Sequence, residues 1–401
     1  MRRVIECVAV LLLAGSSCVG RGQATAPPEN ARQSALALEQ QGRNAEAEAA
    51  WRNFSKAYPS NPEPYAHLGL LEARQEHYQL AIPLYRKALA LNPSVPSVRR
   101  NLGLAYFKSG DMHGAIHEFT ILLKDHPGDF QLVTLTGMAH YGLGEYKEAV
   151  PYLQQAAAID KQNLPLRLAL AHGCLWTKQY QCVLSTYHEI LALNADSAEA
   201  DMLAGEALDE MKDNAGSTRL FREAAKANPK EPNVHFGLGY LLWTQKQYPE
   251  AASEFKAELA NDPDHVQSME YLADTDIQLN QMDSARPLLE RVVKLNPSLP
   301  LVCLDLGIIY TEQGQKDNAV REFLAAEKLT PNDVDVHWRL GRLYRAAGKT
   351  AEAKAEFDKA AALNKAHDEE EHEKIANGHP RSPAAPANSS VPPPAATPPN
   401  Q

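Results

Sequence analysis

His113 and His117 stand four residues apart, a spacing that puts two imidazoles on one helix face, which is half of a metal site. No third ligand accompanies them, so they read as a solvated pair and no metal is expected. The run Asp368-Glu369-Glu370-Glu371-His372-Glu373, preceded by His367, would gather divalent cations only loosely, as a charged helix face does. No Gly-rich phosphate loop follows a strand and no nucleophile elbow is present. Catalytic residues and cofactors are therefore not expected, and the chain does not read as an enzyme. With 40 Lys and Arg against 50 Asp and Glu, the net charge is −10. No basic stripe is available to neutralise phosphates, which excludes a nucleic-acid surface.

A period of 34 residues positions these side chains. Pro59, Pro93, Pro127, Pro229, Pro263, Pro297 and Pro331 share one phase of it, with Lys161, Ala195 and Lys365 at the vacant marks. Twenty-four residues before each mark stands a small residue: Ala35, Gly69, Gly103, Gly137, Ala171, Gly205, Gly239, Ala273, Gly307 and Gly341. Twelve before it the residue is again small in most units, as at Ala47, Ala81, Ala251 and Ala319. Eight before it is a large apolar side chain, as at Trp51, Tyr85, Phe119, Phe255 and Phe323. Small residues let two helix backbones approach, and the ring fills the space beside them. Gly42, Gly110, Gly144, Gly314 and Gly348 mark the turn between two helices, and Asn-Pro or Asp-Pro ends the second. Pro83, Pro151 and Pro287 are expected near the start of the second helix, where the first N–H groups lack intrahelical acceptors.

These columns resemble the tetratricopeptide repeat, with a Leu-Gly pair, a Tyr three residues on, then Ala, an aromatic and Pro. The likeness is closest in Leu102-Gly103-Tyr106 with Ala115, Phe119 and Pro127, and in Leu306-Gly307-Tyr310 with Ala319, Phe323 and Pro331; the leading Trp column is missing. The resemblance implies an all-α fold, an α-solenoid in which antiparallel helix pairs wind into a right-handed superhelix. About ten repeats would span residues 27–367 as one solenoid, with an acidic helical extension over 368–377 acting as a cap. It also implies that the first helices line a concave groove. The first-helix stripe then offers Arg100, Phe107, Lys108, Tyr141, His172, Trp176, Glu206, Asp209, Phe236, Tyr240, Trp243, Asp274, Trp338, Arg339, Arg342 and Arg345 as candidate partner-binding residues. Exposed Trp and Tyr beside Arg have the composition of binding hot spots, unless neighbouring repeats cover the rings. The stripe departs from family members that clamp a C-terminal carboxylate with an ordered Lys, Asn and Arg set. It also has no asparagine ladder.

The ends lie off the period. Arg2-Arg3 followed by the short apolar run Cys7 to Gly15 has the plan of a signal peptide over residues 1–26, too short to span a bilayer. Export to a periplasm or cell envelope is expected, and Cys18 is a candidate lipid anchor. Residues 378–401 are rich in Pro and Ala and read as a disordered tail. In an oxidising compartment Cys174 and Cys182, equally distant from the turn at Lys178-Gln179, would either form a disulfide or stay as two small buried thiols. Cys303 has no such partner. The function expected is a non-catalytic scaffold that binds an extended or helical segment of a partner protein. The rivals are an envelope-tethered assembly or secretion accessory lipoprotein and the substrate-recognition subunit of an enzyme complex.

Overall fold

A computed structural model of the chain describes residues 29–296 and 299–376. The expected signal peptide with Cys18, the Pro297 mark and the tail from 378 lie outside the described residues. Among the described residues there are twenty helices and no strand. They pair in tandem as the expected α-solenoid does and form two compact units that divide after Asp125.

The first unit holds three helix pairs: α1 (Glu29–Gln40) with α2 (Asn44–Ala57), α3 (Glu63–Arg74) with α4 (Tyr78–Leu91), and α5 (Pro96–Lys108) with α6 (Met112–Asp125). The second holds seven: α7 (Phe130–Gly142) with α8 (Tyr146–Ile159), α9 (Leu164–Trp176) with α10 (Tyr180–Leu191), α11 (Ala198–Glu210) with α12 (Asn214–Ala227), and α13 (Val234–Thr244) with α14 (Tyr248–Asn261). It continues with α15 (Val266–Gln278) and α16 (Met282–Leu295), α17 (Pro300–Glu312) and α18 (Lys316–Leu329), and α19 (Val334–Ala346) and α20 (Thr350–Ala376). In this unit first helices also touch first helices, from α7 through α9, α11, α13 and α15 to α17, so they form a continuous layer.

The small column is a packing requirement. A Cβ added at Gly103 would lie 2.5 Å from Cε1 of Phe119, and one at Gly239 would lie 2.8 Å from Cδ1 of Phe255. The large ring of the second helix therefore sits flat on the backbone of the first. Ala47, Ala81, Ala115, Ala251 and Ala319 are fully buried at the second small column. We expect Ala251→Leu to wedge α13 from α14 and to cost about 1–3 kcal/mol by overpacking. A urea titration followed by circular dichroism with an unchanged midpoint would contradict this packing.

Each turn between paired helices has one residue in the left-handed region. Glycine fills it at Gly42, Gly110, Gly144, Gly314 and Gly348, but Glu76, Lys178, Lys212, Lys246 and Asn280 adopt the same conformation at the equivalent position. The turn is thus imposed by the pairing of helices even where the sequence lacks its usual residue. The prolines of the second helices depart from expectation. Pro83, Pro151 and Pro287 are each the sixth residue of their helix, inside α4, α8 and α16, so each removes one intrahelical hydrogen bond.

Candidate functional site

Local sequence sets the entry of several first helices that carry the stripe. The side chains of Asp129, Asn163, Ser197 and Asp333 accept hydrogen bonds from backbone N–H groups in the first turns of α7, α9, α11 and α19. These caps fix where each helix begins and hence which residues face its neighbours. In the first unit α5 carries Arg100 and Phe107, both half-buried, and Lys108, which is exposed. The remaining stripe residues belong to the second unit.

On α7 and α9 the stripe is an aromatic group. Tyr141 Oη lies 3.1 Å from His172 Nδ1, and the ring of Tyr146 stacks on Trp176 at 5.6 Å with the planes 13° apart. Burial lowers the pKa of His172, so it stays neutral under these rings. Trp176 keeps 43% of its surface exposed. On α11, Glu206 and Asp209 are half-buried beside the exposed Glu210. Burial first, then Asp209 and Glu210, pushes Glu206 up to about 7, and burial likewise raises Asp209.

On α13 and α15 the rings pack inward. Phe236 is fully buried against Phe255 and Tyr271, and Tyr240 and Trp243 both stand edge-on to Tyr271, at 5.4 and 5.1 Å. Trp243 Nε1 donates to Asp274 Oδ2 at 2.5 Å. These placements correct the expected stripe. Phe236, His172 and Asp274 are core residues, and Tyr240 and Trp243 are half-buried structural rings, because neighbouring first helices cover that face.

The same layer buries carboxyls of the stripe, and one, Asp305, that sequence reasoning passed over. Glu270 and Asp274 of α15 and Asp305 of α17 are all buried, and Oε1 of Glu270 and Oδ2 of Asp305 have no hydrogen-bond partner. Burial, then Asp274, pushes Glu270 up to about 7; burial, then Asp274 and Glu270, raises Asp305 well above the carboxylate range against the pull of Arg339. Nothing in a single acidic letter signals such burial. Only its place beside the small column could have hinted at it.

On α19 the stripe opens again. Trp338 is 44% exposed, and the guanidinium of Arg342 lies 4.7 Å over its ring. Arg345 stands 5.5 Å over Phe357, and Arg339 Nε donates to Asp335 at 2.7 Å. The accessible chemistry of the second unit is therefore Trp176, the carboxylates at the end of α11, and the Trp338 and Arg342 pair with Arg345.

Cys174 and Cys182 are joined by a disulfide between α9 and α10, with Cα atoms 5.9 Å apart, while Cys303 is free and buried. His113 and His117 are both exposed on α6. Among the described residues one group of three, Glu327, His337 and Glu356, brings potential ligand atoms within 4.8 Å of one another, and sequence reasoning missed it. No helix of the described residues is long and apolar enough to cross a membrane.

Comparison with known proteins agrees with this architecture. Profiles described as Tetratricopeptide repeat match residues 32–96, 100–163, 204–266, 242–301 and 334–367, and one described as TPR repeat matches 307–348. The BBSome complex member BBS4 of Bos taurus is 22% identical over 300 residues, 75% of this chain and 58% of that protein. Anaphase-promoting complex subunit 3 of Schizosaccharomyces pombe is 23% identical over 176 residues, 44% of this chain and 26% of that protein. The chain thus spans between 26% and 58% of the length of these two relatives. Among solved structures, YrrB, titled a TPR protein with an unusual peptide-binding site, aligns with a TM-score of 0.40 at 20% identity, covering 47% of this chain and 97% of that one. With its repeat columns packed as paired helices and these profiles matched along most of its length, the chain belongs to the tetratricopeptide repeat family.

Proposed function

We propose that this protein is a non-catalytic interaction scaffold whose first-helix face in the second unit holds a segment of a partner protein. The observation that carries this reading is the Trp338 and Arg342 pair. A tryptophan held under a guanidinium and left nearly half exposed is a costly surface in isolation and a common anchor in interfaces. Arg345 beside it favours a segment that carries acidic groups next to an apolar side chain. Two proteins similar in sequence are named as a complex member and a complex subunit, which fits a scaffold. The Cys174–Cys182 disulfide supports residence in an oxidising compartment, a periplasm or cell envelope.

Affinity capture with the full chain followed by mass spectrometry identifies the partner, and titration then tests the face. Trp338→Ala combined with Arg342→Ala should weaken binding by about 2 kcal/mol or more and leave the melting temperature almost unchanged. Binding equal to that of the unaltered protein would remove α19 from the interface and with it this reading.

A further inference from the structure

The last three helices bring together metal-binding atoms that the repeat pattern does not require. Residues 99, 235 and 337 occupy the same place in the period, and each meets a glutamate of its second helix. Arg99 Nη1 lies 2.5 Å from Glu118 Oε2, His235 Nδ1 lies 2.6 Å from Glu254 Oε2, and His337 Nδ1 lies 2.7 Å from Glu356 Oε2. This contact is a recurrent tie between paired helices. Around His337 it has gained a third member. Glu327 stands four residues before Pro331, at a place where other repeats carry Leu89, Ala157, Leu259 or Val293, and its Oε1 lies 3.9 Å from His337 Nδ1.

The imidazole is oriented from behind. His337 Nε2 lies 2.9 Å from the carbonyl oxygen of Pro331, which can only accept, so Nε2 carries hydrogen. Nδ1 faces carboxylate oxygens alone, and the contact with Glu356 therefore needs a positive particle between them. A proton satisfies it in the ion-pair form. On the open side Lys359 Nζ lies 2.8 Å from Glu327 Oε1 and 2.9 Å from Glu356 Oε1, which balances the second carboxylate.

We infer that Glu327, His337 Nδ1 and Glu356 form a site for a divalent transition-metal ion of the zinc class, with the Lys359 ammonium as its resident competitor. The three ligand atoms lie within 4.8 Å of one another. Zinc bonds of about 2.0–2.2 Å in tetrahedral geometry hold ligand atoms about 3.3–3.5 Å apart, so binding requires Glu356 to open from Nδ1 and Glu327 to draw in. The Nε2–H bond to a backbone carbonyl is the outer contact that orients metal-binding histidines. Charge balances as well. Two carboxylates neutralise the dication, the proton between Nδ1 and Glu356 passes to buffer, and the half-exposed Lys359 side chain swings into solvent.

The test uses the untagged, metal-stripped full chain, titrated with Zn²⁺ by calorimetry in two buffers and with Co²⁺ by visible absorption. One ion per chain with proton release is expected. Glu327→Leu, which restores the apolar residue of other repeats, should weaken binding at least about tenfold without lowering the melting temperature. Lys359→Met should tighten binding, since it removes the competing charge. Equal affinity in Glu327→Leu and His337→Gln would place the ion on surface histidines such as His113 and His117 and overturn the inference. Failure of both the unaltered chain and Lys359→Met to bind either metal would show an ion-pair network only.

Discussion

Phe323→Ala should destabilise the second unit by about 3–5 kcal/mol, the largest loss expected from any single substitution considered. Phe323 is buried in a cluster with Ala319, Ala326, Val336 and Leu340, and its ring lies on the backbone of Gly307 where a Cβ would otherwise project. Truncation removes the burial of an aromatic ring and leaves a cavity between three helices. The contact also predicts a coupling. Gly307→Ala alone should cost about 1–3 kcal/mol through its clash with the ring, and most of that cost should vanish in the Phe323→Ala background. Urea titrations of the four proteins complete the cycle. Additive effects would mean that the ring and the glycine do not touch. Because repeats contact mainly their neighbours, hydrogen exchange should place the loss in α17 to α19 rather than across the chain.

The second large effect is a loss of stability on raising the pH. The Glu270 carboxyl is pushed up to about 7, by burial first and by Asp274 second, from a value of 4.5 in an open chain. Between those values the folded chain holds a proton that the unfolded chain has released. Stability is therefore fully present below about 4.5 and falls as pH rises through 7, by about 3 kcal/mol at its limit. Asp305, raised in the same direction, adds to the trend. Arg339 is the cation that opposes it at Asp305, and Asp274 is itself raised by burial while the Trp243 and Gln278 hydrogen bonds partly hold it down. Glu270→Gln cannot ionise, so its stability relative to the unaltered protein should be clearly higher at pH 8 than at pH 5. The same difference at both pH values would show that Glu270 is ionised in the folded protein throughout.

Much of the architecture was legible because it rests on contacts between neighbours. A small residue at one place and a ring at another recur every 34 residues because each helix pair repeats the same close approach, as Gly103 with Phe119 and Gly239 with Phe255 show. The hairpin geometry that brought Cys174 opposite Cys182 is equally local. Turn position was readable at Gly42 and Gly110 from composition and at Lys178 from the period, but at Lys178 and Lys212 packing holds a left-handed residue that composition does not advertise.

Tertiary structure alone decided which first-helix residues meet solvent. Phe236, Trp243 and Asp274 occupy the same stripe as Trp338, yet three are covered to different degrees and one is open. Exposure on that stripe depends on how closely successive first helices approach, a sum over the packing of many pairs that no single column records. The division after Asp125 falls beside Pro127, one of the regular marks, so the period runs through it without a change of composition. The convergence of Glu327, His337 and Glu356 required three helices to be placed in space, whereas the sequence by itself showed only an acid at a position that other repeats keep small or apolar.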